Sequence, residues 1–311
     1  MCKPTETTNT NTATMLQYPR RDQLRLLLSS KSFHCTDEKG EKGPMAPSRQ
    51  STLLTILAVV LALIVNEQLL RYLITTFLTN WHPVFEDERH RHVLARNLGV
   101  NFSACFIVAL LGFQSRHLLG EVLTFQRKTD DSYHRRMYQY VPQGHRVLVF
   151  FVAYQVKNLY DSYVWEDGAI FLAHHVFAGL TAWAGMYPGV ASMYGLFFMG
   201  LSEVSSCALC LLANFDDTFG VVGLGDAFPM AKVIMGVAFA VLFIVCRIVL
   251  WPVFAYHFLS DSFTVLKRNS AQYETKTIKV VLSMMIFSNV GLTALQILWL
   301  GEIISTAREF L

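Results

Sequence analysis

Apolar and polar positions are sharply segregated along this chain. From residue 51 onward the apolar residues gather into seven long stretches, at approximately 51–78, 97–118, 146–164, 168–187, 190–213, 229–258 and 278–303. Most of them approach the ~20 residues that a helix needs to cross a hydrocarbon layer. In lipid every backbone polar group has to be satisfied internally, so stretches of this length predict helices. The pattern predicts an all-α polytopic membrane helix bundle of about seven transmembrane helices, the first of them within 51–80. That first stretch is interrupted by Asn66, Glu67, Gln68 and Arg71, so its second half is expected to lie against protein or at the interface. Ahead of the stretches, residues 1–50 are rich in Thr, Ser, Lys and Arg. They read as a disordered tail with one short helix around Arg21 to Ser29, and they lack the apolar core of a secretory signal.

Composition agrees with the pattern: 53% of the 311 residues are hydrophobic and 16% charged, where a soluble domain carries nearer a quarter charged. The net charge of +3 is too small to argue for a nucleic-acid partner. The positions of the basic residues say more than their number. Lys and Arg in the tail and alternate loops amount to eighteen on one side of the membrane and four on the other. The cytoplasmic side carries the excess, so the tail and the loops 116–146 and 259–279 are expected in the cytosol. The loops 161–167 and 214–228 and the C-terminus are then lumenal or external. A seven-helix receptor would have the opposite orientation. The six cysteines show no disulfide spacing, and four of them sit in apolar runs, where a thiol acts as a small hydrophobe.

Candidate chemistry resides in the few polar groups within the stretches, since charge at bilayer depth is costly and tends to face a cavity or a partner. In VAYQVKNLYDSY, Lys157 and Asp161 are four apart and share a helix face, while Tyr154, Asn158 and Asp161 form a second polar line. In LSEVSSCALCLLANF, helical spacing aligns Glu203, Ser206, Cys207, Cys210 and Asn214. In FIVCRIVLWPVF, Arg247 lies five residues before Pro252, which is expected to kink the helix and free a carbonyl nearby. Ser288, Asn289 and Gln296 are the polar residues of the last stretch. The stretch FLAHHVFAGL holds two adjacent histidines. His174 aligns with Ala178, Thr181 and Gly185, and His175 with Gly179 and Ala182, so both face small residues that border a helix contact or a cavity.

Each feature also has a structural explanation. The histidines can bond a neighbouring helix, Lys157–Asp161 can be an interfacial pair, and Arg247 can snorkel or cap a broken helix. A small-residue packing stripe, however, needs no Glu203. Other motifs fall away. Cys207-x-x-Cys210 lacks the second pair of a metal site, and Gly220, Gly223 and Gly225 have no strand before them and no G-K-[ST] after. Position 171 is Phe171, so there is no HxxHH box, and one adjacent pair among ten histidines does not make a di-iron set. No metal and no cofactor is expected.

The ordered series YDSYVWED, AHHVFAGL, SEVSSCALCLLANF and RIVLWP resembles the TLC-domain family, the multi-helix membrane proteins that include the ceramide synthases. The resemblance runs over roughly residues 90–305, with a TLC domain placed at 85–305. It implies a ring of six helices around an elongated central cavity. In ceramide synthases that cavity takes acyl-CoA and a long-chain base, and paired histidines serve acyl transfer. Carried over, His174 and His175 become base or nucleophile, with Glu203 orienting one ring. Lys157, Asp161, Arg247, Tyr154, Asn158 and Ser206 become binding residues, Arg247 for a carboxylate or phosphate. The segment that reads H-D-x-S-D in ceramide synthases is here Ser202-Glu203-Val204-Ser205-Ser206. It keeps one acid and loses the histidine and the second acid, as in the smaller TLC-domain proteins linked to membrane-lipid composition. The resemblance therefore implies a multi-pass protein of the endoplasmic reticulum in membrane-lipid homeostasis, including sphingolipid, whose partners are membrane lipids or fatty acyl chains. Its cavity serves either an acyl-CoA-dependent N-acyltransferase, with acyl-CoA as substrate, or a non-catalytic lipid sensor or carrier. No ring of like charges points to a channel. The oligomeric state stays open.

Overall fold

A computed structural model describes residues 46–123, 130–267 and 276–309. The tail helix expected around Arg21 to Ser29 lies outside the described residues. Those described are helical or in turns, with no strand among them. The long helices are α1 (Arg49–Phe77), α2 (Glu88–Gln114), the short α3 (Asp130–Tyr138), α4 (Pro142–Val164), α5 (Ala169–Met186), α6 (Ser192–Phe215), α7 (Pro229–Lys267) and α8 (Lys276–Glu309). Among the described residues six helices are long and apolar enough to cross a membrane: α1, α2, α5, α6, α7 and α8. The seventh expected stretch is α4, whose 23 residues reach about 35 Å but carry too many polar groups to qualify by composition. It tolerates them because it is enclosed by other helices. Gln155, Lys157, Asn158 and Asp161 are buried on it beside Val147, Leu148 and Ala153.

Six helices close a ring. Helix α5 packs on α4, α4 on α2, α2 on α6, α6 on α7, α7 on α8, and α8 returns to α5. Helix α1 stands outside the ring against α2 and α4. It runs unbroken through Asn66–Arg71, where Asn66 and Glu67 face protein while Gln68 is exposed. Asn66 Nδ2 donates to Gly99 O at 2.7 Å and to Ser103 Oγ at 3.1 Å. The tightest crossing joins α2 to α6. A Cβ on Gly112 would stand 2.4 Å from Leu201 N and 2.7 Å from the Gly200 carbonyl carbon, so only glycine lets the two backbones meet. The core nearby is aromatic: Phe197 stacks on Phe254 at 3.9 Å between centroids, with Trp251 and Tyr194 also buried.

Two boundaries move outward from those the apolar runs suggest. Helix α2 begins at Glu88, because Asp87 Oδ1 accepts from Arg89 N–H at 2.7 Å and caps it. Helix α7 continues to Lys267 because its polar residue Asp261 is fully buried, taking Arg136 Nε at 2.7 Å, Arg136 Nη2 at 3.0 Å and the Tyr194 hydroxyl at 2.6 Å. That network ties α3 to α6 and α7. Nor does α7 break at Pro252. It widens into a π turn over Ile244–Leu250, closed by Trp251 N–H to Cys246 O, and then continues as α-helix. Two further π turns occur, at Asn97–Phe102 in α2 and Phe197–Leu201 in α6.

Candidate functional site

A cavity of about 870 Å3 lies within the ring, bordered by residues of α2 and of α4 to α8. Much of its wall is apolar, as at Phe151, Phe198, Leu209, Phe239 and Leu292. Many of its polar groups come from the positions singled out in the sequence, though not all in the expected arrangement, and others were not foreseen.

The charged centre is Arg247 with Glu203. Glu203 starts the α-helical part of α6 just after its π turn, and Arg247 sits inside the π turn of α7. Arg247 Nη2 donates to Glu203 Oε1 at 3.0 Å and to Ser206 Oγ at 3.1 Å, and Nε donates to Ser205 Oγ at 3.1 Å. The Trp251 ring lies 5.2 Å from the guanidinium carbon. Both partners of the pair are about one-tenth exposed and both border the cavity. The guanidinium is thus fixed by three hydrogen bonds and an aromatic face, not snorkelling.

His174 and His175 both border the cavity, their rings edge to face at 5.3 Å. His175 Nδ1 lies 2.7 Å from Gln155 Oε1. An amide oxygen only accepts, so Nδ1 carries a proton and donates to Gln155. His174 has no hydrogen-bond partner among the described residues. Glu203 orients neither ring: one oxygen is taken by Arg247 and the other lies 3.7 Å from Cys105 Sγ. A guanidinium outcompetes a neutral imidazole for a buried carboxylate. A Cβ on Gly179 would meet Gln155 Cβ at 3.4 Å, and Ala182 is fully buried.

Lys157 and Asp161 pair at 2.6 Å, and a third member joins them. Glu67 of α1 lies 2.8 Å from the same Nζ. Lys157 stands behind the cavity wall, while Asp161 and Asn158 border the cavity. Tyr154 also borders it, its hydroxyl 3.6 Å from Cys105 Sγ. Sequence reasoning missed Gln155, Ser205, Cys105, Arg96 and Asp167. Arg96 and Asp167 border the cavity 3.5 Å apart. The only available signal was the interruption at Glu67. Arg96 and Asp167 read as loop charges, and contacts between distant helices leave no local pattern.

A ring of membrane-length helices around a mixed polar and apolar cavity defines a polytopic membrane protein. The TLC-domain family model matches residues 96–305, more than half of the chain, and the chain belongs to that family. No curated protein and no solved structure matches it.

Proposed function

We propose that this TLC-domain protein acts in membrane-lipid homeostasis, in the endoplasmic reticulum, by holding a lipid or acyl chain in the cavity of its helix ring. The observation that carries this reading is the cavity's division. Apolar walls suit a chain, and a fixed Arg247–Glu203 pair beside an unpartnered imidazole suits a polar group. The volume of about 870 Å3 falls within the range of sites that enclose most of a small ligand. The asymmetry of loop charge supports a cytosolic N-terminus.

A second reading, acyl-CoA-dependent N-acyl transfer, is favoured by one observation: His174 borders the cavity with no hydrogen bond to occupy it. A neutral imidazole there accepts a proton from an attacking amine near pH 7. Acyl-CoA enters this reading as substrate, and no cofactor is needed. Lipid profiles of membranes with and without the protein, and with the His174→Ala, His175→Ala double variant at equal protein level, test both readings. Binding predicts a partial change in the double variant. Transfer predicts the profile of the protein-free membrane. A double variant indistinguishable from wild type would remove the histidines from either role.

A further inference from the structure

At the end of the cavity where α2 begins and α4 ends, donors and acceptors are both left over. Arg96 is 8% exposed and borders the cavity, yet its Nε and Nη1 make no hydrogen bond. Its charge is met by Asp167 at 3.5 Å and by the Trp165 ring at 5.0 Å, and it also acts on Asp161, in each case without a hydrogen bond to Nε or Nη1. Asn158 is 6% exposed and borders the same cavity, and its Oδ1 has no hydrogen-bond partner. The two belong to one cluster. Ser162 Oγ donates to Asp167 Oδ2 at 2.9 Å, and Asn158 lies one helical turn before Ser162. Asp161, between them in sequence, also borders the cavity and shares one ammonium, that of Lys157, with Glu67. Two carboxylates on one ammonium leave an excess negative charge beside the orphaned amide oxygen.

Buried polar groups that stay unpaired are costly, so orphaned atoms against a cavity call for a ligand that completes them. The guanidinium calls for an anionic acceptor, and Asn158 with Asp161 calls for a cationic donor. An anion alone would meet the excess carboxylate, and a cation alone would leave Arg96 Nε and Nη1 without an acceptor. The geometry points to a second subsite at this end of the cavity, for a lipid headgroup carrying both a phosphate and an ammonium. The phosphate lies toward Arg96 and the ammonium toward Asn158 and Asp161. This assignment rests on the reading of the cavity as a lipid site and adds the class of headgroup.

The test uses full-length protein in detergent and four photoactivatable lipids with identical chains: phosphatidylethanolamine, phosphatidic acid, a diacyl trimethylammonium lipid and diacylglycerol. Cavity labelling is read by peptide mass spectrometry. Hydrogen bonds to charged groups are each worth roughly tenfold or more in affinity. Phosphatidylethanolamine should therefore label about tenfold or more above the other three. Arg96→Gln and Asn158→Leu should each erase that preference while diacylglycerol labelling persists. Equal labelling by all four lipids, or preference for phosphatidic acid or the ammonium lipid, overturns the headgroup assignment and leaves the lipid cavity standing. Labelling by none overturns both. If Arg96→Gln does not fold, the wild-type series and Asn158→Leu decide. Free phosphoethanolamine separates a lipid from a soluble ligand. It should compete only at far higher concentration than the lipid, and competition at equal concentration would overturn the lipid as occupant.

Discussion

Replacing Arg247 with Ala should damage this protein more than replacing any other base in α7. The side chain meets Glu203, Ser205 and Ser206 and lies over Trp251. With charges 3.0 Å apart and an effective dielectric of about 20, the Coulomb attraction alone is about 5 kcal/mol. Desolvation offsets much of that in the intact pair, but truncating one member leaves the other buried and uncompensated, at about 3–5 kcal/mol. Both side chains are only 11% exposed, so water cannot make good the loss. Lys232 at the start of α7 makes no ion pair among the described residues and serves as the control. Thermal unfolding in detergent, followed by fluorescence-detected gel filtration, should show Arg247→Ala lowered by on the order of 10 °C. Lys232→Ala should stay close to wild type. Adding Glu203→Gln to Arg247→Met should recover most of the loss, because no charge is then stranded. If Arg247→Ala and Lys232→Ala melt together, the pair stores no stability and the reasoning fails.

Gly112→Ala would drive a methyl into the backbone of Leu201 and Gly200, costing about 1–3 kcal/mol or more, whereas Gly291→Ala meets nothing within 4 Å and should be neutral or stabilising; the same melting assay compares them. Arg136→Ala and Asp261→Asn should each destabilise by a few kcal/mol, since Asp261 is fully buried, and a double-mutant cycle should show strong coupling. His174→Ala should leave stability within about 1 kcal/mol of wild type while changing membrane lipid content, because the ring has no hydrogen bond to lose. Gln155→Leu should weaken the same lipid effect by releasing the His175 ring; an unchanged lipid profile at equal protein level would count against any role for that hydrogen bond.

What was legible in the sequence follows from the range of each interaction. Bilayer thickness sets helix length, so the apolar runs locate the six membrane-length helices, and the remaining run locates α4, which is too polar to qualify by composition. The run ends are poor guides to helix ends, because helices continue past the apolar run where a cap or a buried pair holds them, as Asp87 does for α2 and Asp261 for α7. Lys157–Asp161 is readable because both sit on one helix face. Glu67, the third member, shows in the sequence only as an interruption of the first apolar stretch, and its partner, ninety residues away on another helix, leaves no local pattern. The expectation that Glu203 orients a histidine fails for an energetic reason: the choice of partner is a competition, and a guanidinium wins it over an imidazole.

The three π turns explain where sequence periodicity loses its grip. A π turn holds one extra residue, and each residue of a helix advances about 100°, so everything beyond the turn is rotated relative to a straight helix. The stripe Glu203, Ser206, Cys207, Cys210, Asn214 reads cleanly because it starts after the π turn Phe197–Leu201 has ended and keeps a single phase. Asn97 and Asn101 lie inside the first π turn, and Arg247 inside the third, where no regular period applies. Those residues border the cavity together with Glu203. A π turn is rare and occurs mostly as a single-turn bulge inside an α-helix, frequently at a functional site. Here the first and third hold polar side chains that border the cavity and the second ends two residues before Glu203, while the helices on either side continue to pack on their neighbours in the ring. Phase slips of this kind let a membrane helix be apolar toward lipid along its length and polar toward the interior at one level.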